Sequence, residues 1–136
     1  KPKLLINEEV VSKEILLDIP DPYWDLVIQG LEEVTTVQGS GANAGTAAAS
    51  FKGFPITVAG KTGTAQVGSG QPHAWFVGFG PSRQPMYSVL VLVEHGESGG
   101  HFAAPVARKI FDYMYQNGFF EDIQSNQDAV TSKNES

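Results

Sequence analysis

Apolar positions recur along this chain at two spacings, one typical of helices and one typical of strands. Between residues 21 and 37 they return every three or four positions, which predicts a helix with one buried face. Asp21 and Pro22 support a start there, because aspartate caps free amides and proline is tolerated in the first turn. The predicted buried face consists of Trp24, Val27, Ile28, Leu31 and Val34.

A second helix is predicted from Ala104 onward, after a glycine-rich turn. Pro105 suits a first helical turn, and apolar side chains again recur at helical spacing. We expect this helix to cover a sheet. Its predicted buried face consists of Val106, Ala107, Ile110, Phe111 and Met114.

Three strands are predicted between the two helices. The first begins at residues 56–58, the second covers residues 74–80 and the third covers residues 87–94, and their short connections favour an antiparallel meander. The third strand is almost continuously apolar over residues 89–93, which predicts cover on both faces and a further strand beside it, so something else is expected to complete the sheet. Trp24 and Trp75 are expected to be core aromatics. The fold class is therefore α+β, an antiparallel sheet of three strands flanked by helices.

The segments around this core have simpler compositions. Residues 4–17 are predicted to be extended chain that packs, and residues 46–50 to form a short helical turn. The glycine-rich stretch 39–45 is predicted to be a flexible connection, because it follows a helix and lacks the order of a phosphate-binding loop. Residues 1–120 are expected to form one folded section, and the polar residues 121–136 a disordered tail.

Composition excludes several classes of function. The net charge of −6 and the pI near 4.9 disfavour nucleic acid and anionic membranes as partners. No apolar run approaches the roughly 18 to 20 residues that cross a bilayer. The chain has no cysteine and three scattered histidines, so neither a metal nor a cofactor is predicted. The weaker alternative is a metal site formed by His95 and His101 with Glu94 or Glu97.

The segment Lys61-Thr62-Gly63-Thr64 carries the most distinctive chemistry. A cation, two hydroxyls and a residue without a side chain suit a strand that receives an anionic, peptide-like ligand at close range. On spacing alone Lys61 would be interpreted as a solvated lysine, and the two threonines as strand formers on an exposed face. Whether this segment is part of a binding site therefore depends on the segments that accompany it.

Five separate segments, in order, resemble one protein family. They are Gly45-Thr46-Ala47, residues 59–66 with the lysine motif, residues 73–81 around Trp75, residues 93–96, and residues 99–107 with Ala103-Ala104-Pro105. Residues 20–118 thereby resemble the C-terminal part of the transpeptidase domain of a class B penicillin-binding protein of the elongation type, penicillin-binding protein 2. The resemblance implies a serine D,D-transpeptidase that is acylated by β-lactams and cross-links peptidoglycan. It also implies a role in cell shape at the periplasmic face of the bacterial inner membrane, with the anchor outside this chain.

The family uses three motifs, S-x-x-K, S-x-N and K-[ST]-G, and only the third is in its expected place. No serine of the chain is followed three positions later by lysine. Ser132-Lys133-Asn134 spells S-x-N, but it follows the lysine motif and lies in the polar tail, so we interpret it as coincidence. The chain alone is therefore predicted to be inactive. Its expected partners are the N-terminal section of the same protein with the two other motifs, the peptidoglycan stem peptide, β-lactams and proteins of the elongation machinery.

The resemblance implies a role for each site residue. Lys61 and Thr64 are the predicted catalytic residues, and Thr62, Gly63, Thr64 and His73 are the predicted substrate-binding residues. Lys61 would attract the substrate carboxylate, the threonine hydroxyls would donate to it, and the Thr64 amide would be one of two donors to the acyl oxyanion. Gly63 would let the substrate backbone approach. His73 could line the cleft, although a histidine at a strand start more often caps or packs.

Two other functions are compatible with the sequence. The missing nucleophile allows a non-catalytic scaffold or binding fragment that contacts a cell-wall morphogenesis partner. A serine β-lactamase relative would share the lysine motif, but the segments around Trp75 and Ala103-Ala104-Pro105 favour the transpeptidase.

Overall fold

The computed structural model describes residues 18–121. The predicted extended segment 4–17 lies outside these residues. So does the predicted disordered tail 121–136, except for its first residue, Glu121. Three helices are described, α1 (Asp21–Thr36), α2 (Ala48–Phe51) and α3 (Ala104–Gln116), and three strands, β1 (Ala59–Ala65), β2 (His73–Gly80) and β3 (Tyr87–Val93). A 3-10 turn, Gly41–Asn43, precedes α2, and a π-helical turn, Gly99–Ala103, precedes α3.

The three strands form an antiparallel sheet in the order β1-β2-β3, which confirms the predicted meander and the α+β class. Lys61 lies opposite Val77, and Val77 lies opposite Leu90, so these three share one face of the sheet. Thr62 and Phe76 are paired on the other face. The register thus fixes which side of the sheet each motif residue occupies.

The first strand begins at Ala59, three residues later than predicted. The preceding carbonyls bond elsewhere: the Thr57 carbonyl accepts from the Ser82 amide at 2.9 Å, and the Val58 carbonyl accepts from Thr35 Oγ1 at 2.5 Å. These bonds attach the entry of β1 to α1 and to the turn between β2 and β3.

One face of the sheet is covered by α2 and α3. Phe76 of β2 and Phe111 of α3 are fully buried there. Phe51 of α2 stacks on Phe76 with ring centroids 5.4 Å apart and meets Phe111 edge-on at 6.0 Å. Such aromatic contacts add to the stabilisation that burial provides. This cluster is the core that positions β1.

Over β2 and β3, the opposite face of the sheet is open in the part of the chain that the structure describes. Val77 is 45% exposed, Leu90 is 64% exposed and Leu92 is 41% exposed. Within residues 18–121 no element covers these side chains, so the prediction that something else covers β3 and pairs with it stays a prediction. Trp75 is half-buried rather than a core residue.

The predicted helix faces are only partly buried. On α1, Trp24 is 41% exposed and Val27 is 52% exposed, whereas Thr35, which bonds to the entry of β1, is buried. Because the C-terminal half of α1 makes the packing contacts, the predicted core role of Trp24 is wrong. On α3, Val106 and Ile110 are likewise exposed, because the sheet covers a narrower stripe made of Ala104, Ala107 and Phe111.

An ionic cluster ties α1 to the turn between β2 and β3. Arg83 donates to both carboxylate oxygens of Glu32, at 2.9 and 3.0 Å, and to Asp25 at 2.8 Å. Ser82 also donates to Glu32, at 2.5 Å. The hydrogen bonds from Arg83 hold the pKa of the Glu32 carboxyl below its usual value of 4.5. Through Ser82, whose amide also bonds to the Thr57 carbonyl, the cluster reaches the entry of β1.

None of the helices within residues 18–121 is long and apolar enough to cross a bilayer. Among these same residues, no three histidine, aspartate or glutamate side chains form a group that could hold a metal ion. His95, His101 and Glu94 or Glu97 therefore do not form the alternative metal site.

Candidate functional site

The lysine motif lies on β1, which is an edge strand of the described sheet. Its side chains alternate between the two faces, so Lys61 projects from the open face and Thr62 from the covered face. Lys61 is exposed, and its Nζ donates to the Thr62 carbonyl at 2.8 Å. The predicted site residues on this strand therefore project from both faces of the sheet.

A cavity of about 290 Å³, which we call the threonine cavity, lies beside the threonines of this strand. Its walls include three threonines, a serine, backbone and one imidazole, which can bind a polar ligand. The walls consist of Thr46, Thr62, Gly63, Thr64, Ser98, Gly99, Gly100 and His101. Three of the predicted site residues, Thr62, Gly63 and Thr64, are thus brought together here.

A second cavity, of about 300 Å³, lies between Lys61, α1 and the loop after α1. Glu33 and Val37 line it from α1, and residues 42–46 line it from the loop. Thr46 is common to both cavities. Lys61 and the threonines therefore face separate spaces, joined by one residue.

Two glycines of the π-helical turn press directly on the motif strand and its neighbours. A Cβ on Gly99 would lie 2.3 Å from the Trp75 carbonyl oxygen and 2.6 Å from that of Gly63. A Cβ on Gly100 would lie 2.3 Å from the Thr46 carbonyl oxygen. Backbone atoms cannot move aside cheaply, so only glycine lets this turn form the wall of the cavity.

The histidines divide into a pair and a single residue. His73, at the start of β2, accepts at Nδ1 a hydrogen bond from the His95 amide at 3.0 Å, and the two rings meet edge-on at 4.9 Å. His95 Nδ1 lies 2.9 Å from the Gln71 carbonyl, to which it donates. Neither ring lines the two cavities described above, whereas His101 lines the threonine cavity. A role of His73 in substrate binding stays a prediction.

The sequence did not single out Thr46 or Ser98 as site residues. Both reach the cavity through loops that are far from the motif along the chain. Their only signal was their position within or beside two of the recurring segments, Gly45-Thr46-Ala47 and Gly99-Gly100.

An antiparallel sheet with K-T-G-T on its edge strand and helices packed on it is typical of the class of proteins that comprises serine transpeptidases and serine β-lactamases. Residues 8–112 match the family model of the penicillin binding protein transpeptidase domain, and the chain therefore belongs to this family.

Named relatives agree with this membership. The chain is 29% identical over 139 aligned residues to the peptidoglycan D,D-transpeptidase MrdA of Salmonella typhimurium, an alignment that covers 84% of the chain and 22% of that protein. It is 42% identical to PBP2 of Pseudomonas aeruginosa, solved in complex with WCK 5153, with a TM-score of 0.60, covering 72% of the chain and 20% of that structure.

It is 34% identical to PBP2 of Helicobacter pylori, solved in complex with MreC, with a TM-score of 0.67, covering 85% of the chain and 21% of that structure. The chain spans about a fifth of the length of these proteins.

Proposed function

We propose that this chain is the part of an elongation-type peptidoglycan D,D-transpeptidase that presents the substrate to a serine nucleophile located elsewhere. The observation that carries the proposal is the position of K-T-G-T on an edge strand, with Thr62, Gly63 and Thr64 lining one polar cavity. Membership of the transpeptidase family gives that strand its chemistry.

The cavity suits the carboxylate of a D-Ala-D-Ala terminus. The hydroxyls of Thr62 and Thr64 can donate to an anion there, and hydrogen bonds to a charged acceptor are stronger than neutral ones. Lys61, on the other side of the strand, supplies positive charge and can tune proton movement near the nucleophile. The strand thus binds the anion with hydroxyls and polarises the site with a cation.

The Thr64 amide is our candidate for one donor of the oxyanion hole. Amides alternate in direction along an antiparallel edge strand, one turned to its neighbour and the next turned to the open edge. The close packing of Gly99 over both the Gly63 amide nitrogen and the Trp75 carbonyl oxygen supports a Gly63 amide turned towards β2. The Thr64 amide would then face the open edge, where an acyl group can reach it.

The open edge of β1 also suits the backbone of the substrate. An extended peptide can add to a sheet edge as a further strand, with main-chain hydrogen bonds giving affinity. Gly63 presents no side chain at the centre of the motif, so a stem peptide can approach closely there.

The nucleophile and its lysine must come from a section that carries S-x-x-K and S-x-N, because the chain contains no S-x-x-K. We call the chain joined to that section, in one polypeptide or as two co-expressed pieces, the completed enzyme. The exposed Val77, Leu90 and Leu92 support the same view, since an apolar sheet face of this kind needs a covering layer. We expect the completed enzyme to act at the periplasmic face of the inner membrane and to contribute to cell shape.

Proteins of the elongation machinery are further proposed partners. The Helicobacter pylori relative was solved with MreC, and we extend that kind of partner to the completed enzyme.

A non-catalytic scaffold is the second candidate function. The exposed apolar residues Tyr23, Trp24, Leu26 and Val27 on α1 favour it, because they offer a surface to a morphogenesis partner. It predicts that Lys61→Ala leaves cell-wall function unchanged in the full protein, while substitutions on this helix surface abolish it.

Covalent labelling with a fluorescent penicillin tests the main proposal. The completed enzyme should retain the label after denaturation, and the chain alone should not. Completed enzyme with Lys61→Ala should label more slowly, with Lys109→Ala, an exposed lysine on α3, as the matched control. Labelling of the isolated chain, or equal labelling of both lysine variants, would overturn the proposal.

A further inference from the structure

Thr46 and Thr62 place their hydroxyl oxygens 2.7 Å apart although they lie 16 residues apart in the chain. We propose that Thr46 is a positioning residue, which holds the Thr62 hydroxyl in the orientation that donates to a carboxylate in the threonine cavity. The inference rests on the proposed function, because the carboxylate is that of the transpeptidase substrate or of a β-lactam.

The backbone fixes Thr46 on both sides independently of its hydroxyl. The Gly45 amide donates to the Val37 carbonyl and the Ala47 amide donates to the Val34 carbonyl, each at 2.9 Å, which satisfies free carbonyls at the end of α1. A Cβ on Gly45 would lie 2.1 Å from the Glu33 carbonyl oxygen, so the loop is pressed against the helix. Packing of this loop on α1 therefore places the Thr46 side chain beside Thr62, independently of the hydrogen bond between the two hydroxyls.

On its other side, Thr46 packs against the π-helical turn. Its carbonyl contacts Gly100, where a Cβ would lie only 2.3 Å away. The next wall residue, Gly99, packs on the backbone of Gly63 and Trp75. One continuous line of backbone contacts thus runs from the end of α1 through Thr46 to the motif strand.

The direction of the shared proton gives Thr46 its role. Between two hydroxyls either oxygen can donate, but an anion at Thr62 accepts only, so Thr62 must donate to the anion. Thr46 then donates to Thr62 Oγ1, which polarises that hydroxyl and strengthens its bond to the anion. Without the Thr46 hydroxyl, the Thr62 hydroxyl loses the partner that selects this orientation.

The test compares acylation rates of the completed enzyme by penicillin. Thr46→Val keeps the shape of the side chain and removes the hydroxyl, and it should lower the second-order acylation rate by roughly three- to tenfold, the effect of one neutral hydrogen bond. Thr46→Ser should restore most of the rate. The Thr46→Val/Thr62→Val double variant should be no slower than Thr62→Val alone, because the two hydroxyls act in series.

A penicillin methyl ester separates positioning from general damage to the fold. The ester lacks the carboxylate, so Thr46→Val should leave its acylation rate unchanged. A loss of equal size with acid and ester, a wild-type rate for Thr46→Val, or multiplied losses in the double variant would overturn the inference. If Thr46→Val lowers the melting temperature, Thr46→Ala is compared with Thr46→Ser in its place by the same criteria.

The acylation rate of the wild type separates a failure of the role of Thr46 from a failure of the proposed function. If the wild type is acylated at a normal rate and the Thr46 variants are acylated equally fast, the role of Thr46 is contradicted and the proposed function stands. Wild-type enzyme that is never acylated contradicts both.

Discussion

The two faces of the sheet differ in how complete they are. On the covered face, Phe51 meets both Phe76 and Phe111 in one aromatic cluster, and all three are buried. On the open face, Val77 and Leu90 lie opposite each other and both are exposed. The same strands thus carry one finished layer and one apolar surface without cover from residues 18–121. The covered face is packed by α2 and α3, and we propose that the open face is covered by the section that carries S-x-x-K.

The largest expected effect is on the covered face. Phe111→Ala should lower the free energy of unfolding by about 3–5 kcal/mol, because it leaves a cavity in the aromatic cluster. Urea denaturation of the completed enzyme measures this loss. The neighbouring Ile110→Ala is the matched control, since Ile110 is 39% exposed and should cost far less. Equal losses for the two variants would contradict the assigned faces.

The open face should respond differently in two contexts. Leu90→Ala should change the stability of the chain alone by within about 0.5 kcal/mol, as an exposed position does. In the completed enzyme the same substitution should cost about 2–5 kcal/mol, because a covering layer would bury Leu90. Gln84→Ala, in the exposed turn before β3, should be small in both. A small effect of Leu90→Ala in the completed enzyme would mean that nothing covers this face.

The π-helical turn forms one wall of the threonine cavity and packs against the motif strand. Gly99→Ala introduces a Cβ where the Trp75 carbonyl oxygen is 2.3 Å away, so the turn or the strand must shift. A displacement of this kind should slow acylation by penicillin on the order of ten- to a hundredfold. Gly68→Ala is the control, because a Cβ there meets nothing within 4 Å. Normal acylation of the Gly99 variant would separate the turn from the site.

The smallest expected effect concerns the ionic cluster and depends on pH. The lowered pKa of Glu32, caused first by its hydrogen bonds from Arg83, means that the ionised carboxylate stabilises the fold above its ordinary value of 4.5. That contribution is lost as the pH falls through the lowered folded-state pKa. Glu32→Gln should therefore be less stable than wild type at pH 7, and the difference should shrink in acid. Thermal unfolding across pH measures it, with Gln38→Ala, whose side-chain amide donates to the Thr36 and Ala48 carbonyls, expected to show a constant difference.

Local patterns were sufficient to predict the elements. Helical spacing together with Asp21 and Pro22 located α1 closely, and the apolar runs between turn residues located β2 and β3. These signals are local, because each depends on residues a few positions apart. Burial was predicted less well: spacing shows which side chains share a face, but not how wide a stripe a neighbour covers. Trp24 and Val106 are exposed for that reason.

The candidate site shows the same limit. Its motif was visible in the sequence, because a lysine, two threonines and a glycine are adjacent on one strand. The opposite walls were not, because Thr46 and Ser98 meet the strand only after the chain has folded. Their approach depends on glycines at positions 45, 99 and 100, where a side chain would collide with backbone. A glycine-rich composition indicates a loop, but it does not tell which backbone the loop will contact.

A crystal structure of the completed enzyme acylated by a penicillin shows directly whether β1 faces the substrate. If the Lys61–Thr64 strand faces the substrate, the acyl carbonyl oxygen will lie about 2.7–3.1 Å from the Thr64 amide nitrogen. The penicillin carboxylate will lie within hydrogen-bonding distance of the Thr62 hydroxyl. An acyl group bound away from β1, with the threonine cavity empty, would contradict the account.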